Sequence, residues 1–296
     1  MKNTGPWNVF ICYVIWGILP VYWKLLTTVD SYFLLASRLV WSLVFTLLML
    51  VIVRQMDHLR AALKNRRVLW TLLISGMLIV INWGSYIIAV NTNHVIDASL
   101  AYYLNPLMSI LIGCFCFKEQ LTGLQWLSVA LATVGVLYAI VSYGVVPWLA
   151  LIIGASFAAY GAIKKTVTVD GMTSLAIECI WMLVPALIML GALWARGQTA
   201  AEGETLTWLQ WLLLPTTGIM TAAPLFVFAK GIRTTSYSLA GILMYVNPTL
   251  QLLCGIFLFH EEFTRIYAIM FAFVWVAVVL YLVSAWLAHR RGMPPQ

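Results

Sequence analysis

The stretch Ser99–Thr122, SLAYYLNPLMSILIGCFCFKEQLT, returns 142 residues later as Gly241–Thr264, GILMYVNPTLQLLCGIFLFHEEFT, with 9 of 24 positions identical. The shared positions include Tyr103/Tyr245, Asn105/Asn247, Pro106/Pro248, Gly113/Gly255, Glu119/Glu261 and Thr122/Thr264. Unrelated apolar helices share a few Leu or Phe through composition alone. They do not share Asn-Pro, Gly and Glu-x-x-Thr at common offsets. The chain therefore reads as two related halves, 1–143 and 144–296.

Composition says what solvent those halves meet. Of 296 residues 63% are hydrophobic and 9% charged, with mean hydropathy +0.95, against about 45–50% and about 25% in soluble domains. A soluble fold cannot hide that much apolar surface, so lipid is the solvent. A span needs roughly 20 apolar residues. That length predicts helices near 7–26, 31–53, 68–90, 97–117 and 123–141, then 145–165, 173–195, 208–231, 236–259 and 265–288. Asp30 and Asp97 stand as N-caps of the second and fourth. Lys2 followed by an apolar run has no small-residue cleavage site after it, and the run reads as a retained first helix.

Five spans separate the start of one repeat copy from the start of the other, so the two cross the membrane in opposite directions. The predicted fold is an all-α integral membrane protein with ten transmembrane helices in two inverted five-helix repeats, an arrangement associated with alternating access. With the N-terminus inside, thirteen of the 17 basic residues fall on inner segments; Lys24, Arg38, Arg196 and Arg265 do not. The positive-inside rule then puts both termini in the cytoplasm. The same asymmetry explains the net charge of +7 without nucleic acid.

Few polar groups lie inside the spans. Ala98, Tyr102, Asn105 and Ser109 form one helical stripe, matched by Ala240, Met244, Asn247 and Gln251. Pro106 and Pro248 each remove a backbone hydrogen bond, freeing the carbonyls of Tyr102 and Met244. Each Asn-Pro is either a structural kink tied to a neighbouring helix or a lining of the substrate path. Arg38 lies about 10 Å inside the second span at 1.5 Å per residue; it binds an anionic group such as a carboxylate or snorkels outward. Glu178 has Lys164, Lys165 and Lys230 as candidate partners in a structural ion pair, with proton coupling or amine binding as the functional reading. Glu119 and Glu261, at helix ends, read as caps or hinges, and His94 and His260 as solvated loop residues. Trp16, Trp83, Tyr86, Trp181 and Tyr245 offer rings for stacking, although most Trp in membrane helices are interfacial anchors. Asn82 and Asn91 join the pathway set with Arg38, Trp83, Tyr86, Tyr102, Asn105, Glu178, Tyr245, Asn247 and Gln251.

Five cysteines lie in apolar stretches without CxxC spacing or a nearby histidine, which predicts core thiols and neither metal site nor disulfide framework. HExxH, P-loop and G-x-S-x-G motifs are missing, so no enzyme and no cofactor is expected.

Several stretches carry a family resemblance: YVIWGILPVYWK (13–24), SRLVWS (37–42), NWGSYIIAVNTNHVIDASLAYYLNPL (82–107) and the YG…KK of 160–165. With a Pro…Gly…Glu pattern closing each half, the chain resembles the drug/metabolite transporter superfamily, EamA-type division, RarD-type branch. That branch commonly has histidine before the second-span arginine, where Ser37 stands here. A glycine expected late in the last helix is replaced around Ala277. The resemblance implies a bacterial inner-membrane permease, usually an exporter, of amino acids or other small amphipathic metabolites. It also implies a cavity lined by the third, fourth, eighth and ninth spans, with parts of the first, second, sixth and seventh. The expected partners are a small-molecule substrate and the lipid bilayer; a homodimer is left open. The rival reading is a non-transporting membrane assembly or sensor protein, which keeps the fold and needs no hydrated path.

Overall fold

The computed structural model of the protein describes residues 4–92, 95–144, 147–198, 200, 205–260 and 264–290; the side chains of 90, 91, 95–98 and 289 lie outside that description. Every regular element among the described residues is helical. The first half holds α1 (Gly5–Trp23), continued by a 3-10 turn at Lys24–Leu26, then α2 (Ser31–Ile52), α3 (Met56–Leu63), α4 (Arg66–Asn91), α5 (Val95–Cys116) and α6 (Gly123–Tyr143). The second holds α7 (Trp148–Thr166), α8 (Gly171–Ala195), α9 (Trp208–Ile232), α10 (Tyr237–Met244), α11 (Val246–Phe259) and α12 (Arg265–Arg290). The short α3 occupies what the sequence offers only as a connection.

Nine spans among the described residues are long and apolar enough to cross a bilayer, with α10 and α11 counted as one. The sixth predicted span, α7, is not in that set. Nine of its 19 residues are buried, among them Gly154, Ser156, Gly161 and Lys164. A helix with protein on most of its sides presents little surface to lipid and has no need of an apolar girdle.

Helix ends follow local chemistry. The Asp30 carboxylate accepts from the Phe33 amide at 2.8 Å and caps α2. Thr122 and Thr207 form capping boxes with Gln125 and Gln210 at the starts of α6 and α9. Asp97 is not an N-cap: α5 begins at Val95, which places Asp97 in the first turn, where the helix dipole also favours a negative charge. Gly144, at φ 68°, ends α6 in the left-handed conformation that a side chain resists.

The packing of one half has a counterpart in the other. α7 lies against α4 and α5, and α1 against α9 and the α10–α11 pair. A Cβ added at Gly154 would stand 3.1 Å from the Met108 sulfur and 3.5 Å from the Asn105 nitrogen. One added at Gly17 would stand 2.6 Å from Leu250 Cβ and 3.2 Å from the Asn247 carbonyl oxygen. Likewise Gly76 on α4 faces the Glu178 backbone of α8, while Gly218 on α9 faces the Trp41 backbone of α2. Met108/Leu250, Asn105/Asn247 and Gly76/Gly218 all differ by the 142 residues of the sequence repeat. Small residues let these backbones approach where no hydrophobic effect drives helices together in lipid. On α6 and α12, Ser128 donates to the Ala277 carbonyl at 2.6 Å. The methyl that replaces the expected glycine is fully buried there.

Contacts between helix ends define two faces. On one, Gly5 of α1 lies beside Thr234 and Thr235 after α9, and Lys165 donates to the Thr235 carbonyl. Glu119, just beyond α5, accepts from the amides of Tyr237 at 2.5 Å and Ser238 at 2.8 Å and so caps α10. Asp170 caps α8 on this side; burial raises its carboxyl, but the Thr173 hydrogen bond and nearby His58 outweigh that and hold it below the ordinary range. On the opposite face Gln210 meets Thr28 at 2.6 Å and Tyr267 meets Ser99 at 2.8 Å. The Thr122–Ser284 bond at 2.7 Å returns the end of α12 to the first face, so the described chain starts and finishes on one side.

Candidate functional site

Arg38 is the seventh residue after Ser31 on α2, about 10 Å along the helix, and it is half-buried. Its Nε donates to Thr221 Oγ1 of α9 at 3.1 Å. Its guanidinium carbon lies over two indole rings, 4.4 Å from the Trp23 centroid and 4.5 Å from that of Trp83. Such contacts stabilise a desolvated cation by up to about 2 kcal/mol without neutralising it. Among the described residues no carboxylate pairs with it and none bonds Nη1 or Nη2.

Around this cation stand the side chains of the two Asn-Pro helices. Tyr102 of α5 and Tyr22 of α1 lie within electrostatic reach of Arg38. The Tyr102 hydroxyl is within hydrogen-bonding reach of Gln251 on α11 and Tyr86 on α4, and the Tyr86 and Tyr102 rings meet edge-on at 5.9 Å. Gln251 donates to Asn247 Oδ1 at 2.8 Å. Ser109 makes the matching contact to Asn105 Oδ1 at 3.5 Å. Each Asn is thus buttressed by the residue one turn later, and Gln251 links Asn247 to Tyr102 beside Arg38.

Other members of the predicted set have different surroundings. Asn82 donates to the Ile153 carbonyl at 2.6 Å and to Ser156 at 3.4 Å, tying α4 to α7. Tyr245 is fully buried, its hydroxyl on the Tyr103 carbonyl at 3.4 Å. Trp16 packs with Phe157 and Phe228, and Trp181 against the cluster of Leu50, Leu72 and Ile177. Asn91 ends α4, but its side chain, like His94 and Glu261, lies outside the described residues. His260 is exposed at the end of α11. Trp23, Tyr22 and Thr221 escape the sequence reading. Trp23 reads as an interfacial anchor, and a Thr in a span usually bonds its own helix.

Glu178 of α8 is enclosed. Both its oxygens accept from Lys164 Nζ at 3.0 Å, Ser75 of α4 donates to Oε1 at 2.6 Å, and Lys164 also donates to Ser174 at 2.5 Å. The side chains of the pair are 0% and 1% exposed. Pro106 and Pro248 also differ in effect. α5 runs unbroken through Pro106, whereas α10 and α11 part at Tyr245, whose amide bonds Ile242 three residues back at 3.2 Å. Thr249, which has Leu107 as its counterpart, places its hydroxyl on the Tyr245 carbonyl at 2.6 Å. Back-bonding of that kind bends helices.

Comparison with known proteins bears on the family and the fold. The EamA-like transporter family matches residues 3–141. An uncharacterized transporter, YojE of Bacillus subtilis, is 38% identical over 282 residues, covering 93% of this chain and 92% of the relative. Protein RarD of Streptomyces exfoliatus is 38% identical over 293 residues, covering 98% and 92%. The chain belongs to the EamA-like transporter family, in its RarD-like branch. It is a multi-pass membrane transporter, and its partners are a small-molecule substrate and the lipid bilayer. A crystal structure superposes with TM-score 0.73 at 17% identity, covering 96% of this chain and 99% of that one, a likeness of fold alone.

Proposed function

We propose that this protein is a secondary transporter of small amphipathic metabolites, moved by alternating access between its halves, with Arg38 receiving the substrate's anionic group. The observation that carries the reading is the unmatched guanidinium of Arg38. A charge inside a membrane bundle is costly and ordinarily paired, and every other described cation within a span either has a polar partner or stands at a helix end. Tyr102, Asn105, Asn247 and Gln251 supply neutral hydrogen-bonding groups along the path, and Trp83 and Tyr86 supply apolar faces. Residues 1–143 and 144–296 act as inverted repeats, a reading supported by the matched glycine crossings and by the family match to 3–141. Both termini are cytoplasmic on the charge asymmetry, and net export across a bacterial inner membrane follows the family resemblance. The chain assists no covalent chemistry.

Solute counterflow in proteoliposomes tests this with labelled organic acids, amino acids and aromatic amphiphiles. Saturable exchange of one class, lost in Arg38→Ala, is the expected result. Exchange that survives the substitution removes Arg38 from the path, and silence across a wide panel by folded protein removes transport.

A further inference from the structure

The charge balance around Arg38 narrows the substrate class, granted the transport reading above. The chain has ten acidic residues, of which the side chains of Asp97, Glu202, Glu204, Glu261 and Glu262 lie outside the description. Asp57, Asp170 and Glu119 belong to the face that carries the described chain ends, where they bond Arg60, the start of α8 and the start of α10. Asp30 is bound to the first turn of α2. Glu178 is the one acid described in the middle of a span, and Lys164 holds both of its oxygens. Among the described residues, Arg38 thus stands as a net charge of +1 with neutral groups about it: Thr221 on Nε, Tyr22 and Tyr102 within electrostatic reach, and Tyr86 and Gln251 one contact further on at Tyr102.

A carboxylate set against the two free Nη groups takes charge-assisted hydrogen bonds from both and brings the local charge to zero. A free ammonium group on the same ligand undoes this. It would stand a few ångströms from the guanidinium, with neutral oxygens as its only described acceptors, in surroundings that screen poorly. A phosphate monoester errs the other way, carrying about −1.5 to −2 at neutral pH against a single positive charge. We propose that the Arg38 site selects net monoanions, organic acids with one carboxylate and no free ammonium group, over zwitterionic amino acids.

The test uses the full chain in lipid nanodiscs and two probe series of constant shape: hexanoate, norleucine and N-acetylnorleucine, and 3-phenylpropanoate, phenylalanine and N-acetylphenylalanine. Binding is read as ligand-dependent thermal stabilisation, and counterflow is measured in parallel. In each series the acid and the N-acetyl acid half-saturate at a concentration lower than the zwitterion's by about tenfold or more. The N-acetyl compounds separate charge from size. Arg38→Gln abolishes the preference, and Arg38→Lys, which keeps the charge without the planar fork, restores part of it. Equal or tighter binding of norleucine or phenylalanine overturns the inference, as does failure of every acid to stabilise folded protein. Zwitterion exchange without acid exchange keeps transport and removes the inference. Acid binding without exchange keeps the inference and removes transport.

Discussion

Arg38 and Glu178 stand at the same step of two helices that pack on each other, seven residues after the first residue of α2 and of α8. They face opposite circumstances. Glu178 meets a cation and the Ser75 hydroxyl, with the Tyr160 hydroxyl close by. Among the described residues Arg38 meets two indole rings and one hydroxyl, with two nitrogens left unbonded. A buried charge whose partners are complete is part of the scaffold; one whose partners are incomplete is available to a ligand. Distance from the start of the helix, which the two share although α2 and α8 start on opposite faces, says nothing about which is which.

The contrast is broken most forcefully at the enclosed pair. Removing either Lys164 or Glu178 strands a buried charge and costs about 3–5 kcal/mol. Glu178→Ala and Lys164→Ala should each lower the unfolding midpoint in detergent sharply. The double variant Lys164→Met/Glu178→Leu should recover most of that loss. A double variant as unstable as either single one would show that the pair does more than match charge.

Arg38 should behave in the opposite sense. Arg38→Met removes an unmatched charge and should hold stability within about 1 kcal/mol of the parent, or raise it. Arg38→Ala should cost about 2 kcal/mol or more of anion affinity, near 30-fold, in the counterflow assay. A loss of stability in Arg38→Met comparable with that of Glu178→Ala would erase the distinction between the two sites.

The glycine crossings sharpen the comparison on a smaller scale. Gly218 abuts the Trp41 backbone so tightly that a Cβ collides with main-chain atoms, while at Gly76 the nearest atom is 3.3 Å away. Gly218→Ala should cost about 1–3 kcal/mol through overpacking, and Gly76→Ala clearly less, in paired thermal melts. The smallest effect belongs to the cap. Glu119→Ala leaves the Tyr237 and Ser238 amides unbonded and should cost about 1 kcal/mol, with faster hydrogen exchange at the start of α10.

Much of the scaffold was legible because it is written locally. The run lengths, the Asp30 cap and the recurrence of Asn-Pro need only a reading along the chain, and so does the list of polar residues inside spans. The sixth span was legible by position but not by hydropathy, because α7 is covered by neighbours that hydropathy does not sense. Asp97 stands three residues beyond the N-cap position of α5, where an acid in the first turn satisfies the dipole as an N-cap does. The candidate site was half legible. Tyr102 and Gln251, one from each polar stripe, come within reach of each other, and Trp83 lies against Arg38, whereas Asn82 and Tyr245 hold helices together. Trp23 and Thr221 gave no signal, being an ordinary aromatic and an ordinary hydroxyl until an arginine is set beside them.

The sequence by itself determined that lipid is the solvent, that a 24-residue segment occurs twice, and which few charges lie where a bilayer penalises them. Those properties depend on residue type and spacing. Only the tertiary structure decided that Lys164 is the cation that closes on Glu178, and that Arg38 donates to Thr221, 183 positions away, and lies over two indoles with no acid among the described residues beside it. The reason is geometric: an ion pair or a cage needs atoms within a few ångströms, and which faces of which helices come that close is fixed by packing between elements far apart in the chain.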